Sequence, residues 1–200
     1  MKKFLMALIC LTSMGFWVSC DKPTVENPIN PEDPTNDETY NWYAVKKGTI
    51  VYQVSDVQIT YTFDEYGKIE RLDYGTIVYI KNAISKKYIM LSPEEQAYQV
   101  LENDYQAEMP TFLFMGEEIG WGGLSVYGAV QTTQNIAGKA CKVWNWSISG
   151  ESYRYGGWKR LIFVNQWNSY EDGGMLAVSF AETVPAGSFD IPDHYTELNY

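Results

Sequence analysis

The residues from Val57 to Phe63 alternate strictly between two kinds of side chain. The apolar positions are Val57, Ile59, Tyr61 and Phe63, and the residues between them are Gln and Thr. A period of two places the apolar set on one face of an extended strand, and that face needs partner strands to become buried. The segment therefore predicts a half-buried β-strand and restricts the chain to folds that contain a sheet.

Segments of the same kind recur along the chain between turn-forming residues. In the first half, strands are predicted at 48–54, 57–63, 68–73, 76–81, 86–91 and 97–101, with a turn at 64–67 where Gly67 can take a positive φ. In the second half, they are predicted at 139–148, 152–158, 160–167 and 175–182. This spacing indicates a mainly β domain of antiparallel strands, as in a meander, sandwich or barrel.

The stretch from 109 to 138 interrupts this pattern. It lacks clean alternation and carries Gly116, Gly120, Gly122, Gly123 and Gly128. We expect a loop here, with one short helix around 124–134, and this segment is the candidate for a lid over the sheet.

The N-terminus is typical of an export signal. Two lysines precede an uncharged run from Phe4 to Val18, which at ~1.5 Å per residue is too short to cross a hydrocarbon core of ~30 Å. Ser19 and Cys20 follow, and the arrangement resembles a bacterial lipoprotein signal, although Trp17 stands where that motif has an aliphatic residue. The resemblance implies that 1–19 is the signal peptide and that Cys20 becomes lipidated, carrying palmitate or related acyl chains. The alternative is an ordinary secretory peptide with an incidental cysteine.

Residues 20–40 are predicted to be a disordered tether. The segment 21–39 holds four of the eight prolines and six acids against one base. Proline and like-charge repulsion both favour an extended chain, which at ~3.1 Å per residue reaches about 60 Å. The remaining residues, 41–200, are predicted to form a single domain.

The charge and the ligand-forming residues exclude several functions. The chain has a formal net charge of -10, which argues against nucleic acid as a partner. The chain has one histidine and three cysteines, two of them in the expected signal and lipidation site, which excludes an intrachain disulfide and zinc sites of the Cys₄ or Cys₂His₂ kind. We therefore expect no metal and no cofactor, and Cys141 to be a small buried residue.

Catalysis is not indicated. Any nucleophilic mechanism would have to use His194, the one histidine, for example with Cys141, and nothing in the sequence requires the two to meet. The adjacent acids at 94–95, 117–118 and 171–172 lie in turn-like segments and are interpreted as solvated charges. We expect a protein that is not an enzyme.

Aromatic residues are concentrated in the second half of the domain. The candidate site residues are Trp144, Trp146, Trp158 and Trp167, near several tyrosines. Alternation places Trp144 and Trp146 on the same face of their strand. Large rings of this kind can fill a core, line a cavity for an apolar ligand, or form a platform on which sugar rings stack.

Several short motifs in order along the chain resemble an uncharacterised family of exported Gram-negative lipoproteins. They are Gly48–Tyr52, the turn Phe63–Gly67, Ala137–Cys141, the pair Trp158-Lys159 and the ending Val184–Pro192. That family in turn resembles the LolA/LolB/LppX-type carriers of lipoproteins and lipids. The resemblance implies a strongly curved, unclosed antiparallel sheet, half-barrel-like, with a short helical or loop lid over a hydrophobic cavity.

These observations together predict a lipoprotein of the cell envelope that is anchored through Cys20. The outer membrane is the expected location, and the sequence leaves open whether the domain is on its periplasmic or its surface face. The expected function is binding of an apolar ligand, a lipid or acyl chain, in the cavity of the curved sheet. The alternative is a surface module that binds glycans or proteins through exposed aromatic residues.

Overall fold

The computed structural model describes residues 41–101, 127–167 and 174–198 of the chain. These residues form one twelve-stranded β-sheet that is strongly curved and not closed. Neighbouring strands run antiparallel, except that β12 lies parallel to β6. The predicted fold class is confirmed in these respects.

The strands follow one another along the chain with short connections. They are β1 (Gly48–Val54), β2 (Val57–Asp64), β3 (Ile69–Asp73), β4 (Val78–Asn82), β5 (Lys87–Ser92), β6 (Ala97–Val100), β7 (Val130–Ile136), β8 (Lys139–Ile148), β9 (Glu151–Trp158), β10 (Leu161–Trp167), β11 (Gly174–Ala181) and β12 (Thr196–Glu197). Across the sheet the order is β12-β6-β5-β4-β3-β2-β1-β11-β10-β9-β8-β7. Two meanders, β1 to β6 and β7 to β11, are thus joined where β1 pairs with β11.

All ten strands expected from the sequence are present, each within two residues of its predicted ends. The expectation for the middle of the chain was wrong in part: 130–136 is strand β7, paired with β8 along its whole length, rather than loop or helix. Thr132 and Thr133 at its centre suit a strand, and pairing with β8 overrides the lack of alternation in its own sequence. The rest of the proposed lid, 109–126, lies outside the described residues.

The register places two apolar clusters on opposite faces of the first meander. Ile50 pairs with Tyr61, and Phe63 pairs with Glu70. These four residues share one face of the sheet, and the main core lies on that face. The main core contains Tyr43, Ile50, Tyr52, Tyr61, Phe63, Cys141, Val143, Leu161, Phe163 and Val164, among others. The second cluster comprises Val78, Ile80, Ile89 and Leu91, and the C-terminal residues Phe189, Ile191 and Tyr195 cover it.

The strand ends form two rims, because consecutive strands alternate in direction. The entry rim, at which the described chain begins, comprises 41–48, 64–69, 82–87, 136–139, 158–161 and 181–182. The far rim comprises 54–57, 73–78, 92–97, 148–151, Val130, Trp167 and Gly174. Any side chain near a strand end can therefore be assigned to one rim from topology alone.

The segment from Asn41 to Lys46 is held at the entry rim by burial and by hydrogen bonds. Trp42, Tyr43 and Val45 are buried in the main core. The amide of Tyr43 donates to the carbonyl of Tyr66 at 3.0 Å, and the amide of Ala44 donates to the carbonyl of Lys159 at 3.2 Å. The chain is thus bound to two turns of the same rim before β1 begins.

Two glycines allow β9 to pass close to its neighbours. A Cβ on Gly156 would lie 2.0 Å from the carbonyl oxygen of Lys142, and a Cβ on Gly157 would lie 1.8 Å from that of Leu161. Beside them, the register of β10 shifts between Ile162 and Val164, which leaves an extra residue in β10 at a β-bulge. Only glycine fits at either position, because the atoms that a Cβ would meet belong to the backbone.

We predict that Gly156→Ala destabilises the domain by about 3 kcal/mol or more, since backbone cannot yield as a flexible side chain does. Chemical denaturation followed by tryptophan fluorescence measures this, with Ser152→Ala, an exposed position on the same strand, as the control. Equal stability of the two variants would contradict the close approach of β8 and β9.

Candidate functional site

A cleft of about 460 Å³ opens at the far-rim ends of β7 to β10. Its lining consists of Val130, Asn145, Trp146, Ser147, Ser152, Tyr153, Arg154 and Gln166. Most of these residues carry hydrogen-bonding side chains. By the register, one face of the sheet carries Val130, Asn145, Ser147, Ser152, Arg154 and Gln166, whereas the rings of Trp146 and Tyr153 project from the other face. The cleft therefore presents mainly polar side chains.

A row of polar side chains crosses three strands in the cleft. Asn145, Arg154 and Gln166 lie opposite one another in the register of β8, β9 and β10. The Arg154 guanidinium donates from Nη1 to Gln166 Oε1 at 3.0 Å and from Nη2 to Oε1 of Gln134 on β7 at 2.5 Å. Asn145 Nδ2 donates to Thr132 Oγ1 at 3.0 Å. The guanidinium group is thus fixed by two carboxamide oxygens, one from β10 and one from β7.

Aromatic side chains occupy the positions that alternate with this polar row on the same strands, so they lie on the opposite face of the sheet. Trp146, Tyr153 and Trp167 lie opposite one another across β8, β9 and β10, and Trp144 lies opposite Tyr155. The rings of Trp146 and Tyr153 stack with centroids 5.3 Å apart and an angle of 10° between their planes. The structure therefore brings together three of the four candidate tryptophans, all of them half-buried.

The fourth candidate, Trp158, lies at the entry rim, at the other end of β9. Its ring packs edge-on against Phe163 and Phe180, with centroids 6.4 and 5.5 Å apart. The ammonium groups of Lys139 and Lys159 lie 4.4 and 4.5 Å from its ring centroid. Trp158 thus packs against the main core and is not part of the cleft.

A second polar group is buried in the sheet. Glu70 and Lys81, 0% and 3% exposed, lie opposite each other on β3 and β4, with Lys81 Nζ 3.7 Å from Glu70 Oε2. The hydroxyls of Tyr61 and Tyr43 both donate to Glu70 Oε1. Burial lowers the pKa of Lys81, and the Glu70 carboxylate acts against this effect. We interpret this group as structural, because it joins β2, β3, β4 and the entry segment.

The sequence analysis did not identify the polar residues of the cleft or those of the buried group around Glu70. Asn145, Arg154 and Gln166 each occupy an alternate position on a strand, and that is the signal that could have aligned them once the register was known. Glu70 was also detectable, since it takes an inward position in the alternation of its strand. Neither signal is specific without the pairing of strands.

The remaining chemical candidates are placed as follows. Cys141 is fully buried, as expected, and burial raises the pKa of its thiol to about 11. His194 is exposed beside Tyr195, near the β12 edge of the sheet, whereas Cys141 lies on β8 near the β7 edge. Glu94 and Glu95 are exposed between β5 and β6, as expected of solvated turn charges. The acids at 117–118 and 171–172, and Cys20, lie outside the described residues.

Within residues 41–101, 127–167 and 174–198, no group of three or more His, Cys, Asp or Glu side chains is arranged to hold a metal ion. In the same ranges, no helix has the length and apolar character needed to span a membrane.

No protein-family model and no curated protein matches the chain. A solved structure described as "Structure of PNGF-II in C2 space group" is similar to it with a TM-score of 0.40 and 12% sequence identity. The similarity covers 78% of this chain but only 31% of the other, so this chain spans less than a third of that protein's length. A similarity this low identifies neither a family nor a function, and the resemblance to LolA/LolB/LppX-type carriers stays a prediction.

The buried tyrosines predict how stability depends on pH. Burial raises the pKa values of Tyr74, Tyr88 and Tyr155 to about 12, and it also raises those of Tyr52 and Tyr61 well above the usual value. Unfolding releases them to ionise near pH ~10. Their contribution to the free energy of unfolding is therefore fully present below pH ~10 and is lost as the pH rises towards 12. Lys81, with its lowered pKa, acts in the opposite direction but is a single group.

We expect cooperative loss of near-ultraviolet circular dichroism above pH ~10, together with tyrosinate absorbance. Gradual ionisation of all tyrosines near pH 10 with the tertiary signal intact would contradict the burial of these five rings.

Proposed function

We propose that the domain binds a carbohydrate chain in the far-rim cleft and carries out no catalysis on it. The observation that carries this proposal is the polar row of Asn145, Arg154 and Gln166 in a cleft of about 460 Å³. The proposal takes up the glycan-binding part of the alternative that the sequence left open, a surface module that binds glycans or proteins, but it rests on polar rather than aromatic side chains.

The chemistry of a sugar suits the polar row of the cleft. The hydroxyls around a pyranose ring need hydrogen-bond partners. Planar amide and guanidinium groups can bond two neighbouring hydroxyls at once. Because Arg154 is held by Gln134 and Gln166, binding would not have to order its long side chain.

We also propose that the domain is held at the cell envelope through acylated Cys20 and the tether of residues 20–40. This proposal is supported by the signal-like N-terminus and the acidic, proline-rich composition of the tether. More than one acyl chain makes such attachment stable. Cys20→Ala should move the protein from the membrane pellet to the soluble fraction of cells, and retention in the pellet would contradict lipidation at Cys20.

The other function expected from the sequence, binding of a lipid or acyl chain, stays a prediction. It requires a cavity beneath a lid formed by 109–138, and most of that segment lies outside the described residues. We favour carbohydrate because sugar hydroxyls can form hydrogen bonds with the polar side chains that line the described cleft, whereas an acyl chain offers no hydrogen-bonding group.

The test is binding of a panel of soluble neutral, acetamido and uronic-acid oligosaccharides, measured by calorimetry on the wild type. Against the tightest binder, we expect Arg154→Ala to raise Kd at least tenfold, about 1.4 kcal/mol, because the guanidinium donors in the cleft are lost. Arg154→Lys, which keeps the charge but not the planar group of donors, should recover part of this loss.

Asn135→Ala is the matched control, since Asn135 is exposed on β7 and does not line the cleft. It should bind like the wild type. If no oligosaccharide binds, or if Arg154→Ala binds as tightly as the control, the carbohydrate proposal is wrong.

A further inference from the structure

The basic residues of the domain are concentrated on one rim. All twelve Lys and Arg of residues 41–200 are described, and eight of them lie on the entry rim. They are Lys46, Lys47, Lys68, Lys86, Lys87, Lys139, Lys159 and Arg160. Topology alone produces this grouping, because these residues come from five separate connections and strand ends that the meander brings to the same side.

Acidic residues do not follow the same distribution. Among the described residues, the entry rim carries Asp64, Glu65 and Glu182, two of which pair with lysines, as Lys46–Glu65 at 3.2 Å and Lys139–Glu182 at 2.9 Å. The far rim carries Asp56, Asp73, Glu94, Glu95 and Glu151. The described domain is thus positive at one rim and negative at the other, although the chain as a whole is acidic.

The positive rim is also the rim at which the chain enters the domain. Arg160 Nη1 donates to the carbonyl of Asn41 at 3.1 Å, and Ala44 is bonded to Lys159. The described chain therefore begins at this rim. The cleft lies at the other ends of the same strands: Ser147 is eight residues along β8 from Lys139, about 25 Å at ~3.3 Å per residue.

We propose that the entry rim rests on an anionic phospholipid surface and holds the cleft away from the bilayer. The basic side chains supply the attraction, at about fivefold in affinity for each base close to an anionic membrane. Trp158, half-buried between Lys139 and Lys159, adds an aromatic ring of the kind found at membrane interfaces. This orientation does not depend on the identity of the ligand in the cleft.

The test uses residues 21–200 without acylation, so that an acyl chain cannot cause binding. Cosedimentation is measured with vesicles of equal parts phosphatidylglycerol and phosphatidylcholine, and with pure phosphatidylcholine, in 0.15 M salt. We expect binding to the anionic vesicles alone, weakened at higher salt because the Debye length shortens. Equal binding to both vesicle types, or binding to neither, would overturn the proposal.

The informative variant is Lys47→Gln/Lys87→Gln/Lys159→Gln, since all three side chains are exposed on the entry rim. It should lower the affinity for anionic vesicles on the order of 100-fold, with an unchanged circular dichroism spectrum. Glu94→Gln/Glu95→Gln is the control, because it changes net charge on the far rim. It should bind within about twofold of the wild type. If the control changes affinity as much as the lysine variant does, net charge rather than the entry rim governs binding, and the proposal is wrong.

Discussion

The hydrogen bonds of Tyr43 fix where the chain joins its sheet. The side chain is fully buried, and its hydroxyl lies 2.5 Å from that of Tyr61 and 3.1 Å from Glu70 Oε1. A buried carboxylate needs such donors, because burial without partners would cost several kcal/mol. The entry segment therefore completes the polar group that β3 and β4 bury, and its loss would remove one of the two tyrosine hydroxyls that donate to Glu70 Oε1. This contact places the start of the described chain at the entry rim.

The meander also determines which residues share a rim. Since each connection reverses the direction of the chain, turns alternate between the two rims, and a charge placed in every other turn accumulates on one rim. Lysines occupy turns of the entry rim, while the cleft forms at the far-rim ends of β7 to β10. In the proposed arrangement, membrane contact and ligand binding use opposite ends of the same strands.

Sequence reasoning predicted local structure well and long-range structure poorly. The alternation in β2 and the turns around it are local signals, so the strands and the antiparallel class could be read directly. Strand β7 was missed because Val130–Ile136 is mostly polar and owes its conformation to pairing with β8. The cleft was missed for a related reason: Asn145, Arg154 and Gln166 meet only through the registers of three strands. The four tryptophans were chosen by composition, which could not separate Trp158 from the other three.

The central claim is that the domain stands on its entry rim with the cleft directed outward. Amide hydrogen exchange, compared with and without anionic vesicles on the non-acylated chain, tests it without substitutions. The account predicts slower exchange at 46–48, 65–68 and 158–160 on vesicles, and unchanged exchange at 145–154. Slower exchange at 145–154 with no change at the other three segments would contradict it.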